Sequence, residues 1–310
     1  MHSSPSRFSK DDVRGTFKAR DAWWTVLLVD PLAAPAVRFL ANHTRVTPNQ
    51  LSLLAFVLGL GSAGAFLGAQ YRWLVLGAVL FYLAFYVDCI DGKIARLKGT
   101  GSTWGQWLDF IFDRIRIFLC VLALIVGQYE RTGQAVFLVV GMTAVFIECM
   151  RYINSSTSER LRQYMRARMS ETLRGEGTNA KGTAADEPLP FIEDVLTENP
   201  DLDPEEVAAS GNVVDLQQGF RSKFKFYNKF RHTLRRHRIR PHLWSGIEFQ
   251  MFVCIVGPLT YQVLPMMIAA AGLLLVFEVI LVYKLWLNVR DFDRAMAAHG
   301  GRSVADAPAK

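Results

Sequence analysis

Asp88, Asp91, Gly92, Ala95, Arg96, Gly105, Asp109 and Asp113 place four carboxylates and two glycines beside apolar runs long enough to cross a bilayer. Ionised Asp at membrane depth costs roughly 2.5–3.5 kcal/mol per residue, so four together imply a compensating cation or a wet cavity. On a helix, Asp88 and Asp91 project from one face, as do Asp109 and Asp113, because residues three and four apart lie on adjacent turns. Two such helices joined by a tight loop can aim all four carboxylates into one pocket. Oxygen-only ligands suit hard divalent ions such as Mg²⁺, Mn²⁺ or Ca²⁺, and four carboxylates suffice for two of them. Gly92 and Gly105 leave bare backbone where a flat ring can approach, and Ala95 is nearly as small. Arg96 offers a permanent positive charge to a phosphate. Metal ions, an arginine beside phosphate and a carboxylate to spare as base are the equipment of phosphoryl transfer.

The elements that must hold these residues read as membrane helices. The chain has 310 residues, of which 51% are hydrophobic and 20% charged, and its apolar residues come in blocks. This predicts an all-α polytopic membrane protein. Residues 1–46 form a polar arm followed by an amphipathic helix, Ala22 to Leu40, broken by Asp30, Pro31 and Pro35. That composition suits a helix lying in the headgroup layer better than a span, and argues against a cleaved signal peptide. Thr47-Pro48-Asn49 is a helix start, with Thr47 as cap and Pro48 at the first helical position. Four spans are expected within 47–154: Leu51 to Ala69, Trp73 to Val87, Thr103 to Gly127 and Gln134 to Ile153. The second continues as a helix through Asp88, Asp91 and Arg96, and the breaker cluster Lys98 to Ser102 separates it from the third. Residues 155–242 are a polar insertion facing water, residues 243–290 carry a fifth and a sixth span, and 291–310 form a polar tail.

Basic residues concentrate in the N-terminal arm, in Lys93 to Lys98 and in the insertion, whereas the opposite turns offer only Arg72 and Arg131. By the positive-inside rule both termini and the four aspartates face the cytoplasm of a cell inner (plasma) membrane. The net charge of +7 sits next to hydrophobic spans, which argues for anionic lipid headgroups as partner and against nucleic acid. Lys223 to Arg231, followed by Arg235 to Arg238, interleaves cations with aromatics and reads as a membrane-surface stretch. The four cysteines, Cys89, Cys120, Cys149 and Cys254, fall in apolar segments without metal-ligand spacing and read as packing residues.

The pattern Asp88-x2-Asp91-Gly92-x2-Ala95-Arg96-x8-Gly105-x3-Asp109-x3-Asp113 resembles, at every fixed position, the signature of the CDP-alcohol phosphotransferase (CDP-alcohol phosphatidyltransferase) family. The likeness extends to Thr47-Pro48-Asn49, the N-terminal amphipathic helix and the six-helix count, but not to the insertion. The resemblance implies a membrane-embedded bundle, usually a homodimer, that takes a CDP-linked donor and an alcohol acceptor and releases CMP. Asp88, Asp91 and Asp109 then look like the main metal ligands of a site holding two Mg²⁺ or Mn²⁺ ions. Asp113 looks like the second-metal ligand and the catalytic general base. Gly92, Ala95 and Gly105 resemble the cytidine-contacting surface, and Asn49 and Arg96 resemble residues around the nucleotide and its diphosphate.

The leading expectation is transfer of a phosphatidyl group from CDP-diacylglycerol to a polar alcohol. A soluble CDP-alcohol or CDP-polyol donor acting on a lipid or sugar alcohol is the alternative within the same chemistry. A transporter or cation-binding membrane protein is the alternative outside it; acids at mid-membrane would favour that, and these acids lie at helix ends. Arg114 and Arg116 read equally as structural or interfacial residues and as contacts to an acceptor phosphate, Arg151 reads first as a positive-inside anchor and second as an acceptor contact, and Glu248 reads as a buried member of the site.

Overall fold

In this computed structural model, described over residues 8–179, 191–199, 237–240, 243–298 and a few isolated positions between, the chain is helical with no strand ladder among the described residues. The helices, in chain order, are α1 (Lys10–Gly15), α2 (Thr25–His43), α3 (Pro48–Leu67), α4 (Tyr71–Lys98), α5 (Thr103–Thr132), α6 (Val136–Asn179), α7 (Ile192–Glu198), α8 (Gly246–Thr260) and α9 (Val263–Ala298). Of the basic-aromatic stretch, Lys223 to Arg231 with Arg235 and Arg236 lie outside the described residues, as does the tail beyond residue 298, whereas His237 and Arg238 are described. Contacts group the chain into two compact units, Met1–Cys149 with Arg238–Leu275, and Met150–His237 with Val276–Lys310.

Among the described residues, five helices are long and apolar enough to cross a membrane: α2, α3, α4, α6 and α9. The set differs in membership from the six expected spans. The N-terminal amphipathic helix is present as α2, and by length and composition it qualifies as a span itself. The 30-residue α5 does not qualify, because Asp109, Asp113, Arg114 and Arg116 crowd its first half, and α8 is shorter. Leu53, Leu54, Val57 and Leu60 of α3 and Val139, Met142 and Phe146 of α6 face outward. Apolar faces of that extent need lipid or a partner to cover them.

In the first unit α3 packs against both α4 and α5. Helices in lipid gain little from hydrophobic burial and associate through small residues that let backbones approach. Ser62 of α3 donates to the carbonyl of Gly77 of α4 at 2.7 Å, and Gly77 lies under the Phe66 ring. Gly127 of α5 meets the end of α3, where a Cβ would stand 2.5 Å from the Phe66 carbonyl oxygen and 3.0 Å from that of Leu67. Backbone cannot give way as a side chain can. Gly127→Ala is therefore expected to cost about 1–3 kcal/mol, read as a lowered midpoint of thermal unfolding in detergent.

Local signals set the ends of these helices. Thr47 and Gln50 form a capping box at the start of α3, with Pro48 at its first position. Gly99, at φ 62°, ends α4 in the left-handed conformation and returns the chain within four residues to Ser102, which caps α5 by accepting from Gly105 N at 3.0 Å.

In the second unit, helix α6 runs through Ile153 without a break, so the insertion begins as a continuation of the fourth expected span. Its outer part packs Met165 and Met169 against Phe292 and Met296 of α9, with Leu161, Val289 and Ala295 around them. That apolar seam carries α9 past residue 290, where the sequence places a tail. Arg166 pairs with Asp194 of α7 and lies over the Phe191 ring, and Asn154 donates to Glu278 at 2.8 Å.

Candidate active site

The carboxylates converge at the facing ends of α4 and α5. Asp88, Asp91 and Asp109 each place a carboxylate oxygen within 4.8 Å of the other two. Oxygen ligands at about 2.0–2.6 Å from a hard cation lie up to roughly 4–5 Å apart, so this donor set fits a divalent ion. Asp91 is the most deeply buried of them, at 5% exposure, and accepts from Ser52 Oγ of α3 at 2.5 Å. Ser52 in turn contacts the Pro48 carbonyl, which ties Asp91 to the first turn of α3.

Asp113 does not join this trio. One of its oxygens accepts from Arg114 at 2.5 Å and the other from Arg116. Arg116 also donates to Asp88 at 3.2 Å, so its guanidinium lies between the metal-type cluster and Asp113. Its side chain is 3% exposed. The stem of Arg116 lies on Gly59 of α3, where a Cβ would overlap its Cγ and Cδ. Arg114 reaches Glu148 at 3.6 Å, and Gln250 of α8 donates to Glu148 at 3.4 Å. Glu248, fully buried, accepts from Ser245 at 2.6 Å. Arg151 belongs to the second unit.

Gly105 lies against the exposed Asn49, and a Cβ there would stand 3.0 Å from Asn49 Oδ1 and 3.1 Å from Ser102 Oγ. Gly92 and Ala95 are half-buried on α4. At Gly92 a Cβ would meet an Arg96 guanidinium nitrogen at 3.4 Å, so the arginine folds back over the bare turn. Arg96 Nε donates to the Thr16 carbonyl at 2.7 Å, which ties the N-terminal arm to the motif.

Sequence reasoning missed a second charged layer beneath the motif. Lys93, next to Gly92, makes an ion pair with Asp30 of α2 at 3.1 Å, and both side chains are buried. Arg238, at φ 61°, donates to Asp30 at 3.3 Å and to the Lys18 carbonyl at 2.8 Å. Both cations approach the face of Phe17. An isolated parallel bridge joins Asp21 to Ile239, through Asp21 N to Arg238 O at 2.9 Å and Arg240 N to Asp21 O at 2.8 Å. Half of the signal was available: Asp30 is a lone charge in an apolar stretch, whereas Lys93 sits among Asp91, Arg96 and Lys98, where its partner is not legible.

Among the described residues, long apolar helices and a carboxylate trio where α4 meets α5 define a polytopic helical membrane protein with a place that could hold a hard cation. Comparison with known proteins is consistent with that class: residues 45–173, less than half of the chain, match CDP-alcohol phosphatidyltransferase. It is 36% identical over 80 residues to the bifunctional IPC transferase and DIPP synthase of Aquifex aeolicus, a match covering 26% of this chain and 18% of that protein. It is 36% identical over 89 residues to the phosphatidylinositol phosphate synthase of Corynebacterium glutamicum, covering 29% and 37%. Against the archaetidylinositol phosphate synthase of Pyrococcus horikoshii the identity is 25% over 96 residues, covering 31% and 50%. The chain thus spans at most half the length of these relatives.

Proposed function

We propose that this protein transfers a phosphatidyl-type group from a CDP-linked lipid, CDP-diacylglycerol, to the hydroxyl of a phosphorylated polyol of the inositol phosphate class, releasing CMP. The observation that carries this reading is the convergence of Asp88, Asp91 and Asp109 at the residues that bear the family pattern. The names of the synthases from Corynebacterium glutamicum and Pyrococcus horikoshii support an inositol phosphate acceptor.

In this reading Asp88, Asp91 and Asp109 hold a divalent cation, Mg²⁺ or Mn²⁺, which when bound neutralises the donor diphosphate and stabilises departing CMP. Gly92, Ala95 and Gly105 accept the cytosine ring and ribose against bare backbone, with Asn49 beside Gly105. Arg96 binds the diphosphate through the guanidinium nitrogens that its bond to Thr16 leaves over. Asp113 takes the acceptor hydroxyl proton; the new oxygen–phosphorus bond forms on the lipid-bearing phosphorus as its bond to the CMP oxygen breaks. Arg114 and Arg116 aim the Asp113 carboxylate. The site opens to the cytoplasm of the inner membrane, two copies pair in the bilayer, and the basic surface contacts anionic headgroups.

CMP release by the purified chain tests this reading. With Mg²⁺ or Mn²⁺, CDP-diacylglycerol and an inositol phosphate, CMP should form together with a new phospholipid, and EDTA should abolish both until a divalent ion is restored. CMP from a soluble CDP-alcohol but not from the lipid donor would move the assignment to the alternative donor class. No CMP from any pairing would reject it.

A further inference from the structure

We infer that Arg116 stands where the sequence pattern leads one to expect a second metal ion, so that the site binds one divalent cation per chain, at Asp88, Asp91 and Asp109. The inference rests on the transferase reading above and departs from the two ions that the family resemblance implies.

Four carboxylates without a nearby cation would call for two divalent ions. Here both oxygens of Asp113 are already engaged, one by Arg114 and one by Arg116. Arg116 spans from Asp113 to Asp88, so an ion held by Asp113 would share its carboxylate with a guanidinium. Its guanidinium carries a permanent charge and a fork of donors matched to carboxylate oxygens. It cannot readily swing aside: the side chain is 3% exposed, and its methylenes rest on Gly59, whose missing side chain is the space they fill.

Electrostatic repulsion points the same way. A second ion would meet a buried guanidinium of like charge at the Asp113 carboxylate, with little water to screen the repulsion.

The test counts ions. The full chain, purified in nanodiscs with saturating CMP, is titrated with Mn²⁺, and free Mn²⁺ is followed by electron paramagnetic resonance. One tight Mn²⁺ per chain is expected for the wild type and for Arg116→Lys, which keeps the positive charge, and two for Arg116→Leu. Two ions in the wild type would overturn the inference while leaving the transferase reading intact, and one ion in a folded Arg116→Leu variant would overturn it as well. No bound Mn²⁺ would overturn both. Should Arg116→Leu fail to fold, the wild-type count decides alone.

Discussion

Asp91→Asn is expected to lower CMP release by about 10³-fold, equivalent to roughly 4 kcal/mol of transition-state stabilisation, without unfolding the protein. Asparagine keeps the shape of aspartate, and its carbonyl oxygen can still accept from Ser52 Oγ, so the link between α4 and the first turn of α3 persists. It removes one negative charge from three within 4.8 Å of one another, which relieves repulsion in a buried place. The metal-free variant should therefore unfold at or above the wild-type temperature, even as Mn²⁺ binding is lost. Asp113→Asn should behave differently. That residue lies outside the trio and faces two arginines, so the variant should retain Mn²⁺ binding while its turnover number falls by about 10²-fold or more. Normal turnover in Asp113→Asn would remove the residue from the base role. Normal Mn²⁺ binding in Asp91→Asn would break the cage assignment.

The contrast between these two aspartates marks where sequence reading succeeds and where it stops. Periodicity places Asp88 and Asp91 on one face of α4 and Asp109 on a facing helix, and the breaker cluster between them sets the hairpin. Convergence of the trio follows from those local rules. Asp113 is one turn further along α5, which the same rules bring to the same pocket. What diverts it is Arg116, and the rule that pairs residues three apart on a helix made that pair legible beforehand. The reach of Arg116 across to Asp88 was not legible, because it depends on the space left at Gly59 of a different helix. Helix ends tell a similar story. Thr47, Pro48, Gly99 and Ser102 announce their positions through capping chemistry, whereas α6 and α9 run past their apolar segments because of a seam of Met165, Met169, Phe292 and Met296, widely separated in sequence. Long-range packing leaves no local signature.

The ion pair under the motif should dominate stability, and its members should not be equivalent. Asp30→Asn leaves Lys93, 5% exposed in its side chain, and Arg238 facing one another without a carboxylate, a loss expected to cost about 3–5 kcal/mol. Lys93→Met should cost less, since Asp30 retains Arg238 at 3.3 Å and the methionine fills much of the vacated volume. The double variant Asp30→Leu with Lys93→Met should recover most of the Asp30→Asn loss, because well-packed apolar residues commonly replace a buried pair at little cost. Unfolding titrations in mixed detergent micelles would give the three values. An order in which Lys93→Met is the worst of them would show that Arg238 contributes nothing to Asp30. Activity adds an independent reading, since Lys93 lies within one helical turn of Asp91 and Arg96 on the helix that also carries Asp88. If the pair only holds α2 to α4, the double variant should recover stability and CMP release together. If the charges also orient the end of α4 that carries Asp91, stability should return while turnover stays reduced. The buried position of Asp30 beside the polar collar at Asp21 and Arg238 favours the second outcome. Apolar replacements restore packing there, but not the hydrogen-bonded geometry that fixes the rotation of α4.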